Sequence, residues 1–436
     1  MRAFRWKDAP EVEQIAWALP HRGRFWLDGV EGHAEGRWSF LGAGPVEVVE
    51  RGFDEGDPFA LRLDTSGKAS GIDVPIPEWV GWIAYDAGWA AAERLGLRTP
   101  TRHARGEIPV VWWGRYAWMV AVDGANGSTY LLAEDKATAS AWMRRLGSRP
   151  SLTAVRVGAP SVEPPDAHRV RIQAALEAIA RGDLYQVNLA RPYESAFRGD
   201  PLSLFTAMRR ASPVPLGAFI DTAEHSRAPA AVAARTMERF LGWDPSDGRV
   251  WTRPIKGTIA RSGQDDAGEA ARLKGDDKER AEHTMIVDLM RNDLSRVAVT
   301  GTVEVIDPLS VEPFAGLSHL VSTVQCRARP DTTLETLLEA TFPPGSITGA
   351  PKLEAMQTIE ALEGRARGIY TGAIGYVDRG GGLALAVAIR TAVVQDEQAL
   401  YFAGGGLVEA SQIDREVDET DLKARVFANA ISDCSE

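Results

Sequence analysis

The chain has 436 residues, 44% of them hydrophobic, and carries 49 basic against 60 acidic residues for a net charge of −11. That length and apolar content can bury a large core and allow two or three domains, while the acidic balance argues against non-specific nucleic-acid binding and against docking on anionic membrane. An anionic substrate would need local cations, or a bound metal, to reverse the field at its site.

In chain order, residues 1–20 mix Arg, Lys, Asp and Glu with no apolar stretch that would make a signal peptide. No run reaches the roughly 18 apolar residues of a membrane span; the longest, 383–394, is interrupted by Arg390 and reads as a buried strand. A cytoplasmic protein is expected, with neither membrane nor nucleic acid as partner. Cys326 and Cys434 give no disulfide framework and no metal-binding spacing. Eleven of the thirteen tryptophans precede residue 150. They sit in short alternating segments such as Trp79-Val-Gly-Trp-Ile-Ala-Tyr85 and Pro109-Val-Val-Trp-Trp113, which read as strands of an aromatic-packed sheet. Prolines within 158–165 mark a boundary between residues 1–150 and a second region at 166–430. Beyond it, Asp166 is expected to cap a helix running to about Arg181, with Gly182 as its stop and a strand over 184–189.

Arg253-Pro-Ile-Lys256-Gly257-Thr258 puts an amine where a nucleophile could act, beside a Gly-Thr step that lets backbone approach a ligand. Arg253 and Arg261 flank Lys256 in sequence, and neighbouring cations would raise its free-amine fraction. The pattern over 276–297 predicts a helix with Ile286, Leu289 and Met290 on its apolar stripe; at about 100° per residue, Glu279, Glu282 and His283 fall on the same stripe. A helix over 414–430 repeats this, with Val426, Phe427 and Ala430 inward and Glu416, Glu419 and Lys423 continuing that face. Glutamates spaced i, i+3 repel one another. Two inward pairs suit a hard dication such as Mg²⁺, which takes one or two carboxylates and keeps several waters; Lys and Arg partners at a helix end would serve the same carboxylates.

A strand over 383–389 delivers Arg390, whose guanidinium suits a carboxylate. Residues 400–406 read as a strand running into Gly404, Gly405 and Gly406, a composition that exposes backbone N–H groups to an anion. Phe342-Pro-Pro-Gly-Ser-Ile-Thr348-Gly-Ala-Pro-Lys352 has the composition of a phosphate loop, but Ala350-Pro351 separates Gly349 from the lysine, so nucleotide binding is not expected. His319 is either a core histidine or, within a site, the natural acid or base.

The ordered set Asp183-Leu-Tyr-Gln-Val-Asn-Leu189, Arg253-Pro-Ile-Lys-Gly-Thr258, Glu282-His-Thr-Met-Ile-Val-Asp-Leu-Met-Arg-Asn-Asp-Leu294, 342–352, Ala388-Ile-Arg-Thr391, Gly404-Gly-Gly406 and Asp414-Arg-Glu-Val-Asp-Glu-Thr420 resembles the chorismate-utilising enzymes. That family includes anthranilate synthase component I, aminodeoxychorismate synthase component I and the isochorismate and salicylate synthases. The motifs cover about 166–430; residues 1–150 resemble the N-terminal part of the first two members more loosely, as in Gly36-Arg-Trp-Ser-Phe-Leu-Gly42. The resemblance implies an α/β (α+β) fold, a single unit of two packed, largely antiparallel sheets flanked by helices. It further implies that Glu282 and Glu419 hold Mg²⁺, with Glu279 and Glu416 in or just outside its shell. Arg390, Tyr370, Lys423 and the backbone at Gly404, Gly405 and Gly406 would hold the two carboxylates of chorismate. Gly257, Thr258 and Thr348 would line the ring, and His319 would assist departure of the C4 hydroxyl.

Two positions sort the members of this family. Those that add water carry a lysine base directly before the valine of the strand motif, where this chain has Gln186, so nitrogen is the expected incoming group. Anthranilate synthases typically have alanine within Pro-Ile-x-Gly-Thr; Lys256 stands there, as in aminodeoxychorismate synthases. Direct attack of ammonia at C2 leads to anthranilate, whereas attack by Lys256 at C2 lets ammonia enter at C4. Amination at C4, in para-aminobenzoate and folate biosynthesis, is therefore expected, with anthranilate formation and a non-enzymatic relic of the fold as alternatives. Neither cysteine has the setting of a glutaminase nucleophile, so a separate glutaminase subunit is expected to supply ammonia. The tryptophan-feedback segments are replaced by Trp26-Leu-Asp-Gly29 and Ser212-Pro-Val-Pro-Leu-Gly217, and the usual Ser-Pro-Glu reads Thr236-Met237-Glu238; tryptophan feedback is not expected.

Overall fold

Alternating runs of Val, Ile, Trp and Tyr pair into two large sheets, as their fit to a pleated, half-buried surface requires. The computed structural model describes residues 1–67, 72, 74–89, 92, 108–148, 154–261, 265–314 and 317–434. Among the described residues the first sheet has 13 strands and runs from Arg2–Arg5 through Trp38–Gly42 and Arg24–Asp28 to Leu216–Asp221, Ala231–Thr236, Thr391–Gln395, Gln398–Leu407 and Gln186–Arg198. The second has 10 strands, and its path passes from Ile255–Ala260 and Leu317–Arg327 through Arg249–Arg253, Arg239–Asp244, Leu383–Val387 and Ala373–Asp378 to Pro77–Ile83 and Val111–Arg115. The pairings are antiparallel, and strands from before residue 150 and after residue 166 share both sheets. The architecture is the expected α/β arrangement of two antiparallel sheets with helices on their outer faces.

The sheets pack face to face through Phe25, Phe40, Trp82, Trp112, Val232, Ile374 and Ala386. Helices Leu202–Ala211 and Ile413–Asp433 cover the outer face of the first sheet, and Asp277–Ser295 and Leu334–Thr341 that of the second. Trp79, Trp82, Trp112 and Trp113 are fully buried, so the N-terminal tryptophans serve the core. Among the described residues no helix is long and apolar enough to cross a membrane.

The chain changes sheets twice at one place. Ala231–Thr236 belongs to the first sheet and Arg239–Asp244 to the second; Leu383–Val387 belongs to the second and Thr391–Gln395 to the first. The two crossovers lie side by side, Arg235 N donating to Arg390 O at 3.0 Å and Val387 N to Glu238 O at 3.0 Å. Bends of this kind are how strands turn the corner between packed sheets. They put Glu238 and Arg390 at the seam.

Several local expectations are corrected. The helix placed behind Asp166 is Pro165–Ala180, capped at Pro164 without a side-chain bond; Asp166 lies in its first turn and pairs with Arg169 at 2.9 Å. The strand expected over 184–189 is Gln186–Arg198. Residues 404–406 lie inside strand Gln398–Leu407, in register with Ala190, Leu189 and Asn188. Glycine is needed there for closeness, because a Cβ on Gly404 would stand 2.2 Å from Leu189 O. The strand before Arg390 ends at Val387, and Arg390 itself has φ +49°, a left-handed bend uncommon outside glycine.

Candidate active site

Two helices deliver the inward carboxylates. Asp276 caps Asp277–Ser295, its side chain accepting from Glu279 N at 3.0 Å. From this helix Glu279 reaches Gly257, its Oε2 lying 3.1 Å from the place a Cβ would occupy there. From Ile413–Asp433, Glu416 Oε2 stands 3.1 Å from the corresponding place at Gly405. Lys423 Nζ, one turn beyond Glu419, holds that carboxylate at 2.7 Å and Gly404 O at 2.9 Å.

Lys256 lies between them. Its Nζ is 3.1 Å from where a Gly406 Cβ would sit, and Gln186 Nε2 is 3.0 Å from the same point. Desolvation, then the like charge of Lys423, lowers the Lys256 pKa; Glu282, Glu238 and Glu419 pull the other way. The flanking arginines are not the cause expected from sequence. Arg253 is engaged by Glu312, with Glu35 3.8 Å away, and Arg261 by Asp266.

His319 Nδ1 lies 2.9 Å from Thr258 Oγ1 and 3.3 Å from Gly257 O, while among the described residues its buried Nε2 has no hydrogen-bond partner. Burial, then Arg390, pushes its pKa down to about 4, so the imidazole is neutral. Tyr370 stacks on Phe402 with ring centroids 5.2 Å apart. Thr348 is fully buried, its hydroxyl donating to Pro344 O at 2.8 Å and its carbonyl accepting from Asn188 N at 3.0 Å. Lys352, from the same Pro-rich loop, is held by Asp293 at 2.7 Å and Thr341 O at 2.8 Å, a structural placement.

The glycine strand retains an open edge. Pairing between Thr391–Gln395 and Gln398–Leu407 stops at Tyr401, and Gly404 O turns to Lys423. Alternation along an antiparallel strand then directs the N–H groups of Gly404 and Gly406 to that same edge.

Sequence reasoning gave Asn188 and Glu238 no role here, and used Gln186 only to sort the incoming nucleophile. Gln186 and Asn188 are buried with side-chain atoms lacking partners among the described residues: both polar atoms of Gln186, and Nδ2 of Asn188. Glu238 is 4% exposed, and desolvation pushes its pKa up to about 7 against the pull of Ser346 and Lys256. The signal available for all three was their place in the strand motif and beside the sheet crossover.

The donor type suits Mg²⁺: carboxylate oxygens from two helices converge on the glycine strands, and the ion commonly takes one or two of them. The four glutamates are not drawn into a tight cluster. Among the described residues, the carboxylates whose oxygens lie within 4.8 Å of one another are Asp57, Glu335 and Glu339, elsewhere in the fold. Two cavities also lie apart from this site. One, of about 290 Å³, is lined by Leu27, Asp28, Pro215 and Gly217, so the segments 26–29 and 212–217 do converge; the other, of about 440 Å³, borders Asp293 and Lys352.

Residues 24–429 match the family model for the chorismate binding enzymes. The chain belongs to this family. It is 34% identical to the aminodeoxychorismate synthase of Streptomyces griseus over 92% of this chain and 60% of that protein, so it spans less than two thirds of that relative. It is 38% identical to aminodeoxychorismate synthase component 1 of Klebsiella aerogenes over 78% of this chain and 74% of that one. The solved anthranilate synthase component I from Streptococcus pneumoniae TIGR4 superposes with a TM-score of 0.73 at 25% identity, covering 92% of this chain and 94% of its own. The chain is thus an enzyme of the chorismate-binding family.

The raised pKa of Glu238 has a consequence for stability. Its folded value of about 7 exceeds the ordinary 4.5, so folding retains a proton that the unfolded chain gives up, and stability from this group falls as pH rises between those values. Glu238→Gln should therefore raise the thermal midpoint relative to wild type at pH 8 and leave it little changed at pH 4. An equal difference at both pH values would show that the carboxyl titrates normally.

Proposed function

We propose that this chain aminates chorismate at C4 to give 4-amino-4-deoxychorismate, a Mg²⁺-dependent step toward para-aminobenzoate, using ammonia from a separate glutaminase subunit. The observation that carries the reading is the Lys256 amine, desolvated and adjacent to Gly406 and Gln186 inside the carboxylate-lined site. An alanine there would leave ammonia as the nucleophile at C2, the anthranilate outcome.

In this reading Arg390, Tyr370, Lys423 and the open-edge N–H groups of Gly404 and Gly406 hold the substrate carboxylates, while Gly257, Thr258 and Thr348 border the ring. Lys256, as free amine, attacks C2; the ring double bonds shift and the C–O bond at C4 breaks, the hydroxyl leaving as water after gaining a proton. Glu238, protonated near neutral pH, is the buried carboxyl suited to trade that proton. In the tautomer whose Nδ1 accepts from the Thr258 hydroxyl, His319 would direct Nε2–H at the departing oxygen. Ammonia then attacks C4, the double bonds shift back, and the C2–N bond to Lys256 breaks. The proton ammonia loses balances the one Lys256 regains or passes on. Glu282 and Glu419 would hold Mg²⁺, with Glu279 and Glu416 beside it, and the ion would neutralise a substrate carboxylate in an otherwise acidic protein.

Two outcomes follow from this arrangement. Protein incubated with chorismate and Mg²⁺ but no ammonia should carry a covalent adduct on the peptide containing Lys256, visible by mass spectrometry and absent from Lys256→Ala; an unmodified lysine with undiminished 4-amination in the alanine variant would make anthranilate formation the better reading. Glu282→Gln and Glu419→Gln should each lower turnover at least about 100-fold with the fold retained, as EDTA should in the wild type. Full activity in EDTA would remove the metal from the account.

A further inference from the structure

We infer that Glu363 and Arg367 are positioning residues that fix the wall of the site carrying Asn188 and Tyr370. The inference rests on the functional reading above in that this wall is taken to meet chorismate. The pair looks like an ordinary i, i+4 surface pair in sequence, but Arg367 lies beyond the end of Lys352–Glu363, past Gly364, which caps the helix at φ +63°. Both side chains are almost wholly buried, and they pair twice, Nη2 to Oε1 at 2.6 Å and Nε to Oε2 at 2.9 Å.

The pair replaces a missing strand. On one edge Gln186–Arg198 carries the ladder to Gly404, Gly405 and Gly406. On the other it pairs with Gly349–Ala350 over Gln186 and Val187, and the neighbouring loop gives one further bond, from Asn188 N to Thr348 O. Beyond that point Asn188 O accepts from Arg367 Nη2 at 2.6 Å, and Ala190 N donates to Glu363 Oε1 at 2.9 Å. An ion pair therefore satisfies backbone groups that would otherwise be buried without partners.

The same guanidinium reaches the other side of the wall. Nη1 donates to Ile347 O at 3.4 Å and to Thr371 Oγ1 at 3.1 Å, and that hydroxyl donates to Tyr370 O at 2.5 Å. With the bonds to Glu363 and Asn188, all five N–H directions of the guanidinium are used. Thr371 has φ +62°, a costly conformation for a β-branched residue that persists only where surroundings over-determine it. The Arg367 charge also lies over the Tyr370 ring, 5.6 Å from its centroid. One cation thus ties the strand of Asn188, the loop of Thr348 and the turn of Tyr370 into a single rigid surface. A lysine could keep the charge there but not the planar fork.

The test compares Arg367→Lys with the double variant Glu363→Met/Arg367→Met, because removing both charges avoids stranding one. Chorismate consumption, near-ultraviolet circular dichroism and thermal midpoint are measured for each, alongside wild type. A positioning role predicts a chorismate KM raised at least about tenfold in both variants, with kcat within about threefold and the native dichroism retained. A midpoint that moves while KM stays at the wild-type value would overturn the inference, since a merely structural pair leaves the folded site unchanged. Should the double variant fail to fold, the KM of Arg367→Lys decides by the same criterion. Wild-type protein that does not consume chorismate would overturn the functional reading, and this inference with it, a result visible before any variant is made.

Discussion

An amine nucleophile inside a protein must be desolvated enough to lose its proton, yet the charged form must not be so penalised that the fold expels it. An unpaired buried ammonium costs several kcal/mol; around Lys256 the carboxylates of Glu282 and Glu419 offset that cost while burial and Lys423 lower its pKa. The balance places Lys256 among groups from four separate segments. Helix Asp277–Ser295 brings Glu282, helix Ile413–Asp433 brings Glu419 and Lys423, the first crossover brings Glu238, and strand Gln398–Leu407 offers glycines where any side chain would fill the space.

The sheet seam explains why these segments meet. Strands that change sheets must bend, and the bends at Glu238 and Arg390 turn side chains into the junction instead of onto a sheet face. His319 reaches the same junction from Leu317–Arg327 through its register opposite Thr258. Polar groups there lack the neighbours a regular sheet would give them, which leaves Gln186, Asn188 and His319 with side-chain atoms unpartnered among the described residues. A ligand rich in carboxylate and hydroxyl oxygens would complete them.

What the sequence disclosed depended on whether the signal was local. The inward glutamates were legible because a period of about 3.6 residues places them on the apolar stripe whatever the rest of the chain does. The glycine triplet was legible as backbone-exposing, but composition could not say why glycine is needed; the deciding fact, Leu189 O above Gly404, comes from 215 positions earlier. Arg253 and Arg261 were misjudged for the same reason, since Glu312 and Glu35 claim one and a helix N-terminus claims the other. The raised pKa of Glu238 and the strand-completing role of Arg367 depend on burial, which a lone Glu or an i, i+4 pair does not announce.

The central claim is that Lys256 directs nitrogen to C4, and product identity tests it most directly. Purified chain supplied with chorismate, Mg²⁺ and ammonium salts, without any glutaminase, should accumulate 4-amino-4-deoxychorismate, identified by its NMR spectrum and its retained enolpyruvyl group. Anthranilate, with release of pyruvate, would contradict the account even if every residue of the site proved essential.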